Sequence, residues 1–177
     1  LTSETVAYGT YTNAALGFLG SAHVNSTFAN EAPFTTYGNG ICEVSATSET
    51  VQDVGDIRVY SGTTVLKNFG HVRDHTHAIS VTAFSPSSER CSRLVLDEGT
   101  FIDQGWNTDG STMQIGYNGT YGIVEIREGA AITNHLNNMG NGNGGYGAIY
   151  QSGGFAYWGR PSRAYDGYFG QNSGHAC

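Results

Sequence analysis

The densest set of metal-ligating side chains in the sequence is His71-Val72-Arg73-Asp74-His75-Thr76-His77, which holds three of the six histidines. On an extended strand His75 and His77 project from one face, the arrangement of two ligands on one metal ion, with His71 or Asp74 available as a third. A fourth ligand at diagnostic spacing is missing, so a polar, solvent-facing stretch is the competing and simpler reading. A second set is aromatic. The stretch from Phe155 to Phe169 holds six aromatic residues in fifteen positions, together with Arg160 and Arg163. Tyr157, Trp158, Tyr165 and Tyr168 beside these arginines suit stacking on sugar rings or packing on a neighbouring protein. Rings that merely fill the last layers of the fold are the alternative. A serine triad is unsupported, because no Gly-x-Ser-x-Gly elbow occurs. The glycines are not followed by a helix, so they form no phosphate loop.

Cys42, Cys91 and Cys177 lie too far apart in sequence for a metal knuckle or a Cys-x-x-Cys redox motif. In an oxidising compartment Cys42 and Cys91 are the expected internal disulfide, with Cys177 left free or bridged to another chain. Three buried, reduced thiols are the alternative. Asn25-Ser26-Thr27 and Asn118-Gly119-Thr120 are glycosylation sequons, which points to a secreted protein, although such triplets arise by chance in a chain rich in Thr and Asn.

The elements that position these groups follow from composition. Across 177 residues only 13% are charged and Lys67 is the sole lysine, so the surface lacks the Lys, Glu and Arg that fill exposed helix faces. Gly supplies 26 positions and Tyr 11, a mixture of short strands and tight turns. The net charge of −7 rules out general affinity for phosphate backbones, so nucleic acid is not an expected partner. No apolar run approaches the roughly 18 residues of a membrane span. No charged and then apolar leader opens the chain, so any signal peptide is expected to have been removed already.

Four segments superpose on a glycine: Gly55 to Val65, Ser92 to Ile102, Gly122 to Ile132 and Gly147 to Tyr157. Within each, broken only by Gln151 in the last, apolar residues stand two apart before the shared Gly62, Gly99, Gly129 or Gly154, the period of a strand with one buried face. The glycine marks a corner where φ is positive, and Val65, Ile102, Ile132 and Tyr157 are expected to turn back inward. Ile57, Val59, Leu94, Leu96, Val124, Ile126, Ile149, Val65, Ile102 and Ile132 are therefore the predicted core, stacked unit on unit because one unit cannot bury its own apolar row. The glycine steps of 37, 30 and 25 residues suit one coil of a solenoid with loops at its corners. Residues 1–50 carry the pattern poorly and read as an N-terminal β cap or accessory sheet, with the solenoid over 51–177. The repeat breaks off at Cys177 after Gly174 and Ala176 open a further unit, so a longer protein or end-on stacking of copies is expected.

The phrases Ile115-Gly116-Tyr117-Asn118-Gly119-Thr120-Tyr121-Gly122-Ile123-Val124-Glu125-Ile126-Arg127-Glu128-Gly129-Ala130 and Gly145-Tyr146-Gly147-Ala148-Ile149-Tyr150-Gln151-Ser152-Gly153-Gly154 resemble the degenerate repeats of secreted right-handed parallel β-helix proteins, the autotransporter-passenger and pectin-lyase-like group. The resemblance covers about residues 55–177. It implies an all-β parallel β-helix, outside the cell or on its surface, acting as an adhesive or structural element in a surface or filament assembly. The rival it implies is an enzyme cleaving acidic polysaccharide. There Asp97, Glu98, Asp103, Asp109, Glu125 and Glu128 would hold calcium against the sugar and Arg127 would act as base. The alternation of Glu125 and Arg127 is more simply the outward row of a strand. A non-catalytic carbohydrate-binding module is the third reading. The expectation is a structural or adhesive protein rather than an enzyme, without cofactor unless calcium binds, whose partners are other subunits, end to end, and carbohydrate.

Overall fold

The computed structural model describes residues 5–12, 22–29, 32–36, 40–46, 54–72, 79–82, 91–103, 113–134, 136–140, 144–158, 168–169 and 175–176, and all the regular structure among them is β-strand. In chain order the strands are β1 (Thr5–Thr12), β2 (Ala22–Ala29), β3 (Ala32–Thr36), β4 (Ile41–Ala46), β5 (Val54–Val59), β6 (Gly62–Lys67), β7 (Gly70–Val72), β8 (Ile79–Val81) and β9 (Ser92–Leu96). There follow β10 (Phe101–Asp103), β11 (Met113–Ile115), β12 (Tyr121–Ile126), β13 (Ala131–Asn134), β14 (Leu136–Met139), β15 (Tyr146–Gln151), β16 (Phe155–Trp158), β17 (Tyr168–Phe169) and β18 (His175–Ala176). They make three sheets, ordered β1-β2-β4-β6-β9-β12-β15-β18, β17-β14-β11-β8-β5-β3 and β16-β13-β10-β7. The pairings are parallel, for example β12 with both β9 and β15, β13 with β10 and β16, and β11 with β8 and β14. Among the described residues no helix is long and apolar enough to cross a membrane.

Parallel neighbours cannot be joined by a hairpin, so each strand must leave its sheet before the chain can come back beside it. Where the described residues run on without a break it leaves through short corners, such as 97–100 and 127–130. From β6 onward the chain visits the large, the four-stranded and the six-stranded sheet in turn. Buried residues alternate along β4, β6, β8, β11 and β12 and line up between strands. Cys42, Thr64, Leu94, Val124 and Ile149 form one column of the large sheet, and Val44, Leu66, Leu96 and Ile126 the next, which ends at the exposed Gln151 in register with Ile126. Ile57, Ile79 and Met113 align in the six-stranded sheet, as do Val59, Val81, Ile115 and Met139, while Ile102, Ile132 and Ala156 align in the four-stranded one. These columns meet in one apolar core. Each fully buried aliphatic side chain in it contributes roughly 1.5–3 kcal/mol. The polar groups among them are satisfied: the Thr36 and Thr64 hydroxyls meet at 2.7 Å, the Thr100 hydroxyl donates to Leu66 O at 2.7 Å, and the Ser92 hydroxyl donates to Tyr121 O at 2.9 Å.

Eight of the ten expected core residues, Ile57, Val59, Leu94, Leu96, Ile102, Val124, Ile126 and Ile132, are buried, and Ile149 packs against the core half-buried. Val65 does not. It faces outward in register with Val95, because Thr64 and Leu66 take the inward places on β6. The first repeat unit was aligned one sheet off. Ile57 and Val59 belong to the six-stranded sheet, and the true partners of Leu94 and Leu96 are Thr64 and Leu66. Tyr157 is likewise outward and 41% exposed, since Ala156 rather than Tyr157 pairs with Ile132.

Corner length explains the slip. Asp97-Glu98-Gly99-Thr100 and Arg127-Glu128-Gly129-Ala130 lead into their next strands, whereas Lys67-Asn68-Phe69 and Ser152-Gly153-Gly154 do so with one residue fewer. Gly99, Gly129 and Gly154 have φ of 74°, 79° and 67° as expected, and Asn68, at 50°, stands in their place in the earlier corner. Asn is among the few residues that accept this conformation. Gly62 is also left-handed, at 73°, but in the corner entering the large sheet.

The first fifty positions supply β1, β2 and β4 to the large sheet and β3 to the six-stranded one, the same sheets that the later strands build. The expected Cys42–Cys91 disulfide is not formed, and both thiols are free. Strand β6 lies between β4 and β9. Two strand spacings, roughly 9–10 Å, exceed the ~7 Å reach of a disulfide. The alternative of buried thiols holds for Cys42 but not for the exposed Cys91, and Cys177 lies outside the described residues.

Candidate functional site

The outward face of β9, β12 and β15 carries the side chains able to do chemistry. Between the inward Leu94, Leu96, Val124 and Ile126, alternation turns Arg93, Val95, Ile123 and Glu125 outward. Glu125 accepts hydrogen bonds from Arg127 Nε at 2.7 Å and pairs with Arg93 Nη2 at 3.3 Å, and Arg127 Nη1 reaches Asp97 Oδ2 at 3.2 Å. The second oxygen of Asp97 accepts the Glu98 amide at 2.9 Å. Val95, in register with Glu125, is buried on this outer face. The hydrogen bond that Arg127 donates to Glu125, aided by the charges of Glu125 and Asp97, holds the guanidinium more firmly protonated than usual, against a smaller opposing effect of burial. A group so held is the opposite of a general base.

An open groove of about 630 Å³ runs along the corner beside this network, lined by Asp97, Glu98, Arg127, Glu128, Gly129 and Ser152. Of the expected calcium set, Asp97 and Glu125 are thus engaged by arginine, while Glu98 and Glu128 are exposed along the corner. Asp103 ends β10, and Asp109 lies outside the described residues. Among the described residues no three His, Cys, Asp or Glu side chains converge on a point that a metal ion could occupy.

A second cavity, of about 200 Å³, sits further along the same face. On β15 the outward residues are Tyr146, Ala148 and Tyr150, so a small side chain separates two tyrosines that are 42% and 56% exposed. Ile123 of β12 lies in register with Ala148 and Tyr121 with Tyr146, and the Tyr121 and Tyr146 rings stack at 5.3 Å and 7°. Gly122 and Gly147, also in register, add bare backbone to the lining, and Cys91 closes one end. Burial raises the Cys91 thiol, and the charge of Arg93 pulls the other way. The buried Cys42 thiol is pushed up to about 12 by loss of water.

Of the residues singled out in the sequence, Cys91 lines this cavity, and no other described one does. His71 belongs to β7, while His75 and His77 lie outside the described residues. Tyr157 and Trp158 belong to β16 and Tyr168 to β17, while Arg160, Arg163 and Tyr165 lie outside the described residues. Asn25 falls within β2, and Asn118 is exposed in a turn with φ of 53°, where the Thr120 hydroxyl donates to Tyr117 O at 2.6 Å. The sequence reading missed the tyrosine cavity. Its signal was the recurrence of Tyr-Gly-aliphatic-aliphatic in Tyr121-Gly122-Ile123-Val124 and, with Ala148, in Tyr146-Gly147-Ala148-Ile149. Compared with protein-family models, curated proteins and solved structures, the chain finds no match in any of the three.

Proposed function

We propose that the three sheets are the faces of one parallel β-solenoid and that the protein is a structural or adhesive element outside the cell or on its surface, which extends by end-to-end contact between copies. The cyclic visiting of the three sheets, with inward columns in register, supports the solenoid. The observation that carries the function is strand β16. Among the described residues it is paired on one side only, with β13, and it presents Phe155 at 58% and Tyr157 at 41% exposure. Strand β7 ends the same sheet at the other side. An edge of this kind is a template for a strand of another copy, and head-to-tail contacts of that kind propagate unless they close into a ring. The outward ions favour this reading over catalysis, because Arg93, Glu125, Arg127 and Asp97 neutralise one another. Sedimentation of the full chain over a range of concentrations tests it. Association that rises with concentration and is lost in Phe155→Lys is expected. A monomer at every concentration overturns it.

A further inference from the structure

We infer that the tyrosine cavity on the outer face of β12 and β15 is a binding site for one neutral pyranose unit of a carbohydrate. At about 200 Å³ it is smaller than the roughly 300–1,000 Å³ of sites for drug-sized ligands, which fits a single six-membered ring. Its length comes from the strand. Tyr146 and Tyr150 are four residues apart on one face, roughly 13 Å at ~3.3 Å per residue, and Ala148 leaves the space between them open. The floor is aliphatic, from Ile123 and Ala148, and the walls are aromatic.

A tyrosine wall offers a flat apolar face that ends in a phenol hydroxyl, a group of a kind that both donates and accepts. A pyranose matches that pattern, with an apolar C–H face to lay on a ring and equatorial hydroxyls to meet the phenol hydroxyl and the solvent. A purely aromatic ligand uses the face and wastes the hydroxyl. Among the described residues no Asp, Glu, Lys or Arg lines the cavity, so a neutral sugar is a better complement to these walls than a uronic acid with its carboxylate. The tyrosines are held ready without a ligand. Tyr121 and Tyr146 are fixed by their stacking, so little side-chain freedom is lost when a ring settles on them.

The site does not depend on end-to-end association, since β12 and β15 lie inside the large sheet. The experiment is titration of the full chain, followed by calorimetry and by ligand-observed NMR, with three probes: a neutral glucose or mannose oligosaccharide, an oligogalacturonate and 4-methylphenol. The neutral oligosaccharide is expected to bind with a Kd of about 1 mM or tighter. Tyr150→Ala should weaken it by about tenfold or more, the range of losing a stacked aromatic contact. Ala148→Ile puts on β15 the residue that its register neighbour Ile123 already carries, so it fills the cavity while suiting the strand, and it should abolish binding with the fold intact by circular dichroism. Tyr157→Ala, on β16, should leave binding unchanged. Failure of every neutral sugar to bind, tighter binding of the uronate or of 4-methylphenol, or binding that survives Ala148→Ile overturns the assignment.

Discussion

Replacing Gly122 by Ala sets a small gain against a larger loss. Its backbone is not left-handed, so the substitution removes freedom from the unfolded chain and on that ground alone stabilises by about 0.4–1 kcal/mol. The methyl group has no room. It would lie 2.0 Å from Val81 O, 2.7 Å from Gly116 N and 3.1 Å from Ile115 Cγ2. Those first two atoms are hydrogen-bonded to each other at 3.0 Å, the link that ties the end of β8 to the chain leaving β11. Relief requires the backbone to move by about an ångström, which breaks that bond and leaves a buried donor and acceptor at about 1–3 kcal/mol each.

The net expectation for Gly122→Ala is a loss of roughly 2–5 kcal/mol, a drop in Tm on the order of 5–15 °C at this chain length. Gly147 repeats the arrangement one strand further on, where a methyl would lie 2.5 Å from Ile115 O and 2.6 Å from Gly140 N, themselves bonded at 2.8 Å. Ser92 occupies the same register with its Cβ in place, but there the connection is the longer 82–91 rather than 116–120. Urea unfolding followed by circular dichroism measures the loss. Gly144→Ala is the comparison, since nothing lies within 4 Å of its added methyl and only its φ of 76° penalises it, by about 1–2 kcal/mol. A Gly122→Ala protein as stable as the parent refutes the reasoning.

Three further outcomes are expected. Ile126→Ala removes a fully buried side chain and should cost about 2–5 kcal/mol by the same unfolding assay, whereas Ile149→Ala, half-buried beside it, should cost less than half as much. Equal losses would contradict the column. Gly129→Val should destabilise by on the order of 1–3 kcal/mol, because a β-branched residue must adopt φ of 79° with its Cβ 3.3 Å from Glu98 Cγ, and an unchanged melt would count against the corner. Cys42 gives a pH test. Its thiol rises from 9.0 to about 12 on folding, so its contribution is intact below pH 9 and fades as the pH climbs toward 12, because the unfolded chain ionises first. The slope is about 1.4 kcal/mol per pH unit, and Cys42→Ala should show a shallower alkaline decline than the parent, while a thiol reagent at neutral pH should label Cys91 and spare Cys42. Parallel alkaline curves, or labelling of Cys42 in the folded chain, would refute its burial.

What was legible in the sequence was whatever alternation and glycine punctuation could carry. Leu94, Leu96, Val124 and Ile126 announce a buried strand face by spacing alone, and Gly99, Gly129 and Gly154 announce their corners. The six-stranded sheet was legible only in part, at Met113-Gln114-Ile115 and Tyr168-Phe169, because strands such as β8 and β11 are three residues each and show hardly one full alternation. The register of the first unit was hidden for a chemical reason. Thr64 fills an inward position usually apolar, which its bond to Thr36 makes tolerable, and Asn68 fills a corner usually glycine. Both substitutions keep the geometry while erasing the pattern that would reveal it.

The outward face was less legible still, and the difference is physical. Inward residues must be apolar whatever their neighbours are, so each column declares itself from one strand. An outward side chain acquires meaning only from the strand beside it: Glu125 is a candidate calcium ligand when read along β12, and becomes the centre of an ion-pair network once Arg93 of the adjacent strand and Arg127 of the following corner are placed against it. Tyr150 is one exposed ring among many until Ala148 and Ile123 are seen to leave a ring-sized space beside it. In a fold built by laying like upon like, chemistry therefore arises at departures from the column. The exchange of Ile123 for Ala148 between two otherwise matching strands is such a departure, and it is why the cavity lies where it does.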